Sequence, residues 1–256
     1  MQKSILTFLG TGTSQGIPVP GSDHPVSHSK SKKDKRLRTS VLLNIEGSNI
    51  VIDCGPDFRY QMLRENVRHV DAIFLTHEHS DHMAGMDDIR PYYFKMEGDM
   101  PVFAQKRVLE AVEERFPYIF HDDKYPGAPG VDANEITDKE FEFNEIKFQP
   151  IFLMHGSLEV VGFRVKNLVY ITDTNHIPES EYNKLKDVDI LVINALRHEK
   201  HHAHFNLKEA LEVVKRVKPN KTYFTHISQY LGFHEEEEKK LPTNVHLAYD
   251  GLKLEF

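Results

Sequence analysis

A chain of 256 residues with 39% hydrophobic and 28% charged content is long enough to bury a sizeable core, and an α/β fold of this size commonly forms one unit, so residues 1–256 are read as a single domain. With 39 acidic against 32 basic residues the formal charge is −7, which repels a polyphosphate backbone unless basic side chains gather locally and argues against long nucleic acids as partners. One cysteine, Cys54, excludes an internal disulfide framework and any cysteine-built zinc site, which points to the cytoplasm.

The opening MQKSILTFLG holds too short an apolar run for a signal peptide, and no stretch approaches the roughly 18 apolar residues of a membrane span. Residues 5–9, 41–45 and 50–52 read as short strands punctuated by Gly10, Gly12, Gly47 and Gly55. Between the first two lies a polar stretch over 22–38 containing KSKKDKRLR, read as a solvated surface loop. Residues 57–66 have helical spacing, and 71–75 is a buried-type strand that runs into THEHSDH, placing the first histidine cluster at a strand end.

Further on, 106–116 reads as helix, 118–138 as an irregular insertion rich in Pro, Gly and Asp, and 141–152 as strand. Residues 160–165 and 168–171 form a hairpin pattern with Lys166 and Asn167 at the turn. Helices follow at 179–185 and 207–217 and strands at 190–193, 222–225, 245–248 and 252–256. EEEEKK at 235–240 reads as the solvated end of a helix.

Sixteen histidines are several times what surface decoration supplies, and their placement decides the case. In HEHSDH, residues two apart on an extended segment point to one side, so His77 and His79 can share one metal ion. A turn at Ser80 redirects Asp81 and His82 towards a second ion, where carboxylate and imidazole suit zinc, manganese or iron. Two ions need more ligands than one loop supplies. The chain offers His155 in FLMHGS, Asp173 in YITDTN and His226 in YFTHIS, each directly after an apolar β-type run. A carboxylate able to bridge would hold the ions about 3.5 to 4 Å apart.

HxHxDH followed by His, Asp and His in that order resembles the metallo-β-lactamase superfamily. The resemblance implies an αββα four-layer sandwich with the metals at one edge of its two sheets. It implies that His77, His79 and His155 hold one ion, that Asp81, His82 and His226 hold the other, and that Asp173 bridges. Asp53 in VIDCGPD matches the family's acidic position that orients ligand imidazoles.

The opening FLGTGTSQGIPVPG resembles the glycine-rich first loop of the phosphodiesterase branches, whose backbone can approach phosphate oxygens closely. Further likeness through RTSVLL, VIDCGPDFR, FLTHEHSDHMAG, TDT, HFNL, THIS and AYDGLKLEF ranks the phosphoribosyl 1,2-cyclic phosphate phosphodiesterases first. In that family a histidine of the motif resembling HFNL, here His204, is proton donor or phosphate ligand. His201 and His202 lie beside it, and Arg197 is a further candidate for a phosphoryl oxygen.

These relatives often carry a separate structural zinc on cysteines after the first loop and on a histidine beyond THIS. Ser22, His24, Ser27 and Gln229 stand there instead; hydroxyls and an amide bind zinc poorly, and His24 and His28 are left as partners for a weak ion at most. The expectation is a metal-dependent hydrolase using His204 and Asp81 in catalysis, with two divalent cations, a small phosphodiester substrate, no membrane association and room for a homodimer. Ribonuclease Z-like RNA processing and thioester or lactone hydrolysis are the alternatives. The acidic balance and lack of an evident basic arm weigh against the first, and Asp173 in place of a cysteine ligand weighs against a β-lactamase.

Overall fold

Period-two alternation along 41–45 and 50–52 sends Val41, Leu43, Ile50 and Ile52 to one face and Leu42 and Val51 to the other, and all six side chains are buried. A strand apolar on both faces needs a layer on each side. The computed structural model, which describes residues 3–120 and 125–256, supplies both layers.

The elements in chain order are β1 (Ile5–Gly10), β2 (Ser40–Ile45), β3 (Ser48–Ile52), α1 (Phe58–Arg64), β4 (Ala72–Phe74), α2 (Ser80–Met83), α3 (Arg90–Tyr93), β5 (Met100–Ala104), α4 (Lys106–Arg115) and β6 (Val131–Glu135). The second half contains β7 (Phe141–Phe143), β8 (Ile146–His155), β9 (Leu158–Val165), β10 (Leu168–Tyr170), β11 (Ile190–Asn194), α5 (Leu207–Val217), β12 (Lys221–Thr225), α6 (His234–Glu238), β13 (Val245–Leu247) and β14 (Lys253–Glu255). One sheet runs β14-β1-β2-β3-β4-β5-β6 and the other β13-β12-β11-β10-β9-β8-β7. Each begins antiparallel and turns parallel: β3 to β6 are parallel in the first, β10 to β13 in the second.

Leu6, Phe8, Phe74, Phe148, Phe163 and Tyr170 fill the space between the sheets. Phe58, Met62, Met86 and Val108 close the outer face of the first sheet, and Leu185, Ala210, Val213 and Val214 that of the second. The result is the αββα sandwich expected from the motifs. Helix α5 matches the predicted 207–217 because its ends are encoded locally: Asn206 and Glu209 form a reciprocal capping box, and Lys218 ends it in the left-handed region at φ 58°.

The insertion expected over 118–138 is less irregular than its composition implies, since Val131–Glu135 pairs in parallel with β5. Residues 121–124 of that stretch lie outside the described residues. The strand expected over 141–152 is instead a hairpin, because Asn144 and Glu145 both adopt positive φ and turn the chain. The stretch over 22–38 is also not simply solvated. Asp34 and Arg36 are buried, and Arg36 Nη1 donates to Thr11 Oγ1 at 2.7 Å and to the Ala248 carbonyl at 2.5 Å, tying the loop to the first strand and the chain's last turn.

Candidate metal centre

Open α/β sheets place ligands at the carboxyl ends of their parallel strands, and the chemistry-bearing residues gather there. Asp53 follows β3, His77 follows β4, Asp173 follows β10, and His226 follows β12. Asp53, Asp173 and His226 have φ values of 69°, 50° and 54°, a conformation that residues other than glycine rarely adopt. Three such residues at one edge mark strain tolerated for a purpose.

Two loops are interlocked to present the ligand motif. Cys54 N–H donates to the His82 carbonyl at 2.7 Å, and Gly85 N–H to the Cys54 carbonyl at 2.8 Å. A Cβ on Gly55 would lie 2.0 Å from the Asp81 carbonyl oxygen, so only glycine allows this approach.

Hydrogen bonds on the far side of each imidazole set which nitrogen faces inward. His82 Nδ1 donates to Asp53 Oδ2 at 2.6 Å. The Thr76 hydroxyl donates to the same carboxylate and accepts from His77 Nδ1 at 3.0 Å, so Asp53 orients two rings, one directly and one through Thr76. His155 Nδ1 donates to the Ala203 carbonyl at 2.7 Å. The opposite nitrogen of each ring then faces the centre.

His77, His79 and His155 form one group whose donor atoms lie within 4.8 Å of one another; Asp81, His82 and His226 form a second, and Asp173 joins groups with His77 and His82 and with His155 and His204. His77 Nε2 and His79 Nδ1 lie 3.0 Å apart. Asp173 approaches His82 Nε2 at 3.2 Å and His226 Nε2 at 3.1 Å, yet both nitrogens are buried without hydrogen-bond geometry to any partner. Buried polar atoms that converge without bonding one another fit cations, and the mixed imidazole and carboxylate set suits zinc, manganese or iron.

Burial opposes charge on Asp173, but His226 and His82 outweigh it and hold the carboxyl well below its ordinary range; Asp81 is lowered in the same way, chiefly by His82. Burial lowers His77. His204 lies with Nδ1 3.7 Å from Asp173 Oδ1 and its ring stacked on His226, and burial beside His226 pushes it down to about 2.

Other expected residues lie further out. Arg197 donates to the carbonyls of Glu199 and Lys200, His201 is half-buried beside His204, and His202 is exposed. The amides of the glycine-rich first loop are already engaged: Gly12, Thr13 and Ile17 donate to the carbonyls of Leu37, Ile227 and Arg36, Gly16 donates to Thr13 within the loop, and a Cβ on Gly10 would lie 1.9 Å from the Arg38 carbonyl oxygen. Close strand packing accounts for Gly10 without a phosphate. Ser22 and Ser27 donate to Gln229 Oε1 at 2.9 and 2.7 Å, His24 Nδ1 accepts from Val26 N–H, and His28 Nε2 bonds the Ser22 carbonyl. This satisfied set does not fit the additional structural zinc.

Sequence reasoning missed the outer supports. Arg107 of α4 forms an ion pair with Glu78, the residue between His77 and His79, and Arg115 donates to Ser80 Oγ at 2.7 Å. Their spacing on one helix was visible, but not what that helix faces.

The model of the β-lactamase superfamily domain matches residues 48–227. The chain belongs to this superfamily. A solved structure described as a new diphosphatase from the PhnP family is 38% identical, with a TM-score of 0.93 over 99% of this chain and 98% of that one. Human tRNase Z, short form, superposes with a TM-score of 0.70 at 18% identity over 98% of each chain, which speaks for the fold alone. Among curated relatives, an octanoyltransferase of Porphyromonas gingivalis (strain ATCC BAA-308 / W83) is 36% identical over 96% of this chain, and ribonuclease Z of Bacillus cereus (strain B4264) is 29% identical over 62% of it. The chain spans about half the length of these curated relatives, 50% and 48% respectively. It has the metallo-β-lactamase fold. Among the described residues no helix is long and apolar enough to cross a membrane.

Proposed function

We propose that the protein is a two-metal phosphodiesterase acting on a small phosphoric diester. The observation that carries this reading is the convergence of two three-residue donor groups, His77, His79 and His155 against Asp81, His82 and His226, with Asp173 between them. The first three would hold one cation, the second three the other, and Asp173 both. When bound, two divalent cations neutralise charge on a phosphoryl group and lower the pKa of water towards about 7.

The chain's own residues supply the remainder. Asp53 holds His82 and, through Thr76, His77 in the ligating orientation. Asp81 keeps its side chain 14% exposed where Asp173 is 3% exposed, so besides ligating it is the carboxylate that can meet an incoming water or substrate and orient it by hydrogen bonding. His204 stands beside Asp173 and, with its ring kept neutral by burial, offers an N–H hydrogen bond to a phosphoryl oxygen.

The solved relative described as a diphosphatase supports chemistry at phosphorus. Ribonuclease Z among the curated relatives supports a second reading, RNA processing. Against it, Arg36 of the basic stretch is buried and Arg38 pairs with Asp57 at 3.0 Å, so neither offers a free cation to RNA.

Metal analysis of purified protein together with hydrolysis of bis(p-nitrophenyl) phosphate and of a pre-tRNA tests the assignment. The expected result is two equivalents of metal and turnover of the small diester. His204→Ala should keep both metals and lose about 10²–10³-fold in turnover, the usual contribution of one positioned hydrogen-bond donor to a charged transition state. Metal-loaded wild-type protein that leaves the diester intact overturns the function, and full activity in the variant overturns the role of His204.

A further inference from the structure

Outside the metal centre, α1 and α3 cover the first sheet and leave a slot of about 350 Å³ between them, the size of a small-ligand site. Its floor is apolar. Phe58, Met62 and Tyr92 are all buried there, the Phe58 and Tyr92 rings meet edge to face at 6.0 Å, and Tyr92 Oη donates to the Val67 carbonyl at 3.1 Å, which fixes one wall. None of the candidate metal ligands lines the slot.

The rim is cationic. Arg59, Arg68 and Lys95 stand around it against the single carboxylate of Asp88, in a chain whose net charge is −7. Asp88 is half-buried whereas the three cations are exposed, so positive charge faces solvent at the opening. Arg38, Arg64, Arg90, Arg107 and Arg216 each pair with a carboxylate. Among the described residues no hydrogen bond or ion pair engages the side chains of Arg59, Arg68 or Lys95. Three unpaired cations at one opening attract an anion.

Large apolar groups also stand in water on these elements: Tyr60, Leu63 and Phe94 are 60%, 63% and 60% exposed. Apolar surface beside a lined cavity marks a binding face. A second copy of the chain would cover those groups but, paired about a two-fold axis, would bring one cationic rim against another. An amphipathic anion satisfies both halves of the site, its chain covering the floor and its head meeting the guanidinium and ammonium groups.

We infer that the slot between α1 and α3 is a binding site for a small amphipathic anion, an aliphatic chain that ends in a carboxylate or a phosphate. Such a ligand is separate from the phosphodiester that the metal centre would cleave, and its binding does not require that chemistry.

Isothermal titration calorimetry of the whole chain with nonanoate, nonyl phosphate and 1-nonanol tests it. Each anion should bind saturably at one site per chain, and the neutral alcohol about tenfold more weakly, the scale of one hydrogen bond to a charged group. The tighter of the two anions identifies the head group. Arg68→Glu combined with Lys95→Glu, both at exposed positions, should weaken the two anions about tenfold or more and leave the alcohol unchanged. Lys208→Glu on α5, in the opposite outer layer, adds negative charge away from the slot and should leave all three as in wild type. No saturable anion binding up to about 1 mM, or equal binding of alcohol and anions, overturns the site. So does a dimer in sedimentation that Leu63→Glu dissociates, which gives this face to a second copy, and so does binding to phosphatidylglycerol vesicles without binding of the free anions.

Discussion

Asp53 Oδ2 lies 2.6 Å from His82 Nδ1, and both side chains are wholly buried. The same carboxylate receives the amide and the hydroxyl of Thr76, so a single group sets the orientation of the motif's first and last histidines. Burial pushes the Asp53 carboxyl up from its ordinary value, and His82 acts against that rise.

Asp53→Asn separates orientation from fold. Asparagine tolerates the left-handed backbone at φ 69° and nearly matches the volume, but its amide nitrogen cannot accept from His82. Metal affinity should fall about 10- to 100-fold, read by competition with a chromogenic chelator, with the circular dichroism spectrum retained. Unchanged affinity would show that His82 is oriented by its neighbours without the carboxylate.

Arg107→Met tests the outer brace. Arg107 and Glu78 are 39% and 24% exposed at their side chains, so the pair is screened by water. Metal affinity should drop only about two- to fivefold, equivalent to an exposed ion pair, well short of the effect at Asp53. A loss as large as that of Asp53→Asn would mean that α4 holds the ligand loop far more strongly than its exposure implies.

Gly55→Ala places a methyl group 2.0 Å from the Asp81 carbonyl oxygen, and backbone cannot yield as a side-chain tip can. Overpacking of this kind costs about 1 to 3 kcal/mol or more, a fall of roughly 2 to 12 °C in the melting temperature for a chain of this size. Asp81 is displaced by the same contact, so metal content should fall too. A melting curve and metal content equal to wild type would contradict the interlocked-loop arrangement.

His234 gives acid sensitivity outside the metal centre. Its Nδ1 accepts from Arg36 Nη2 at 3.0 Å, which requires the neutral ring, and burial followed by Arg36 and Lys33 pushes its pKa down from 6.5 to about 4. A depressed histidine binds its proton more readily when unfolded, so its stabilisation is complete above pH 6.5 and is lost as pH falls towards 4. Between pH 7 and pH 5 this one group accounts for about 2 kcal/mol. His234→Asn keeps an acceptor that does not titrate, and its urea midpoint should fall correspondingly less over that range. Parallel losses in both proteins would remove His234 from the account.

Much of this molecule was legible in its sequence because the signals were local. Alternation along β2 and β3, the capping box of α5 and the placement of His155, Asp173 and His226 after apolar runs each depend on a few consecutive residues. Strand β6 escaped notice because VDANE has little β-propensity of its own and is a strand by virtue of its pairing with β5. The hairpin at Asn144 and Glu145 lacks the glycine that normally announces such a turn.

The sequence by itself determined most strands and helices, the order of the candidate ligands and their attachment to strand ends, since side-chain periodicity and turn chemistry act over short range. Tertiary structure alone decided that Asp53 reaches both His82 and Thr76, that the Ala203 carbonyl orients His155, that α4 faces Glu78 and Ser80, and that the His204 ring stacks on His226. Those contacts join residues far apart in the chain or engage the backbone, whose carbonyls are chemically alike at every position, so no local pattern can announce them.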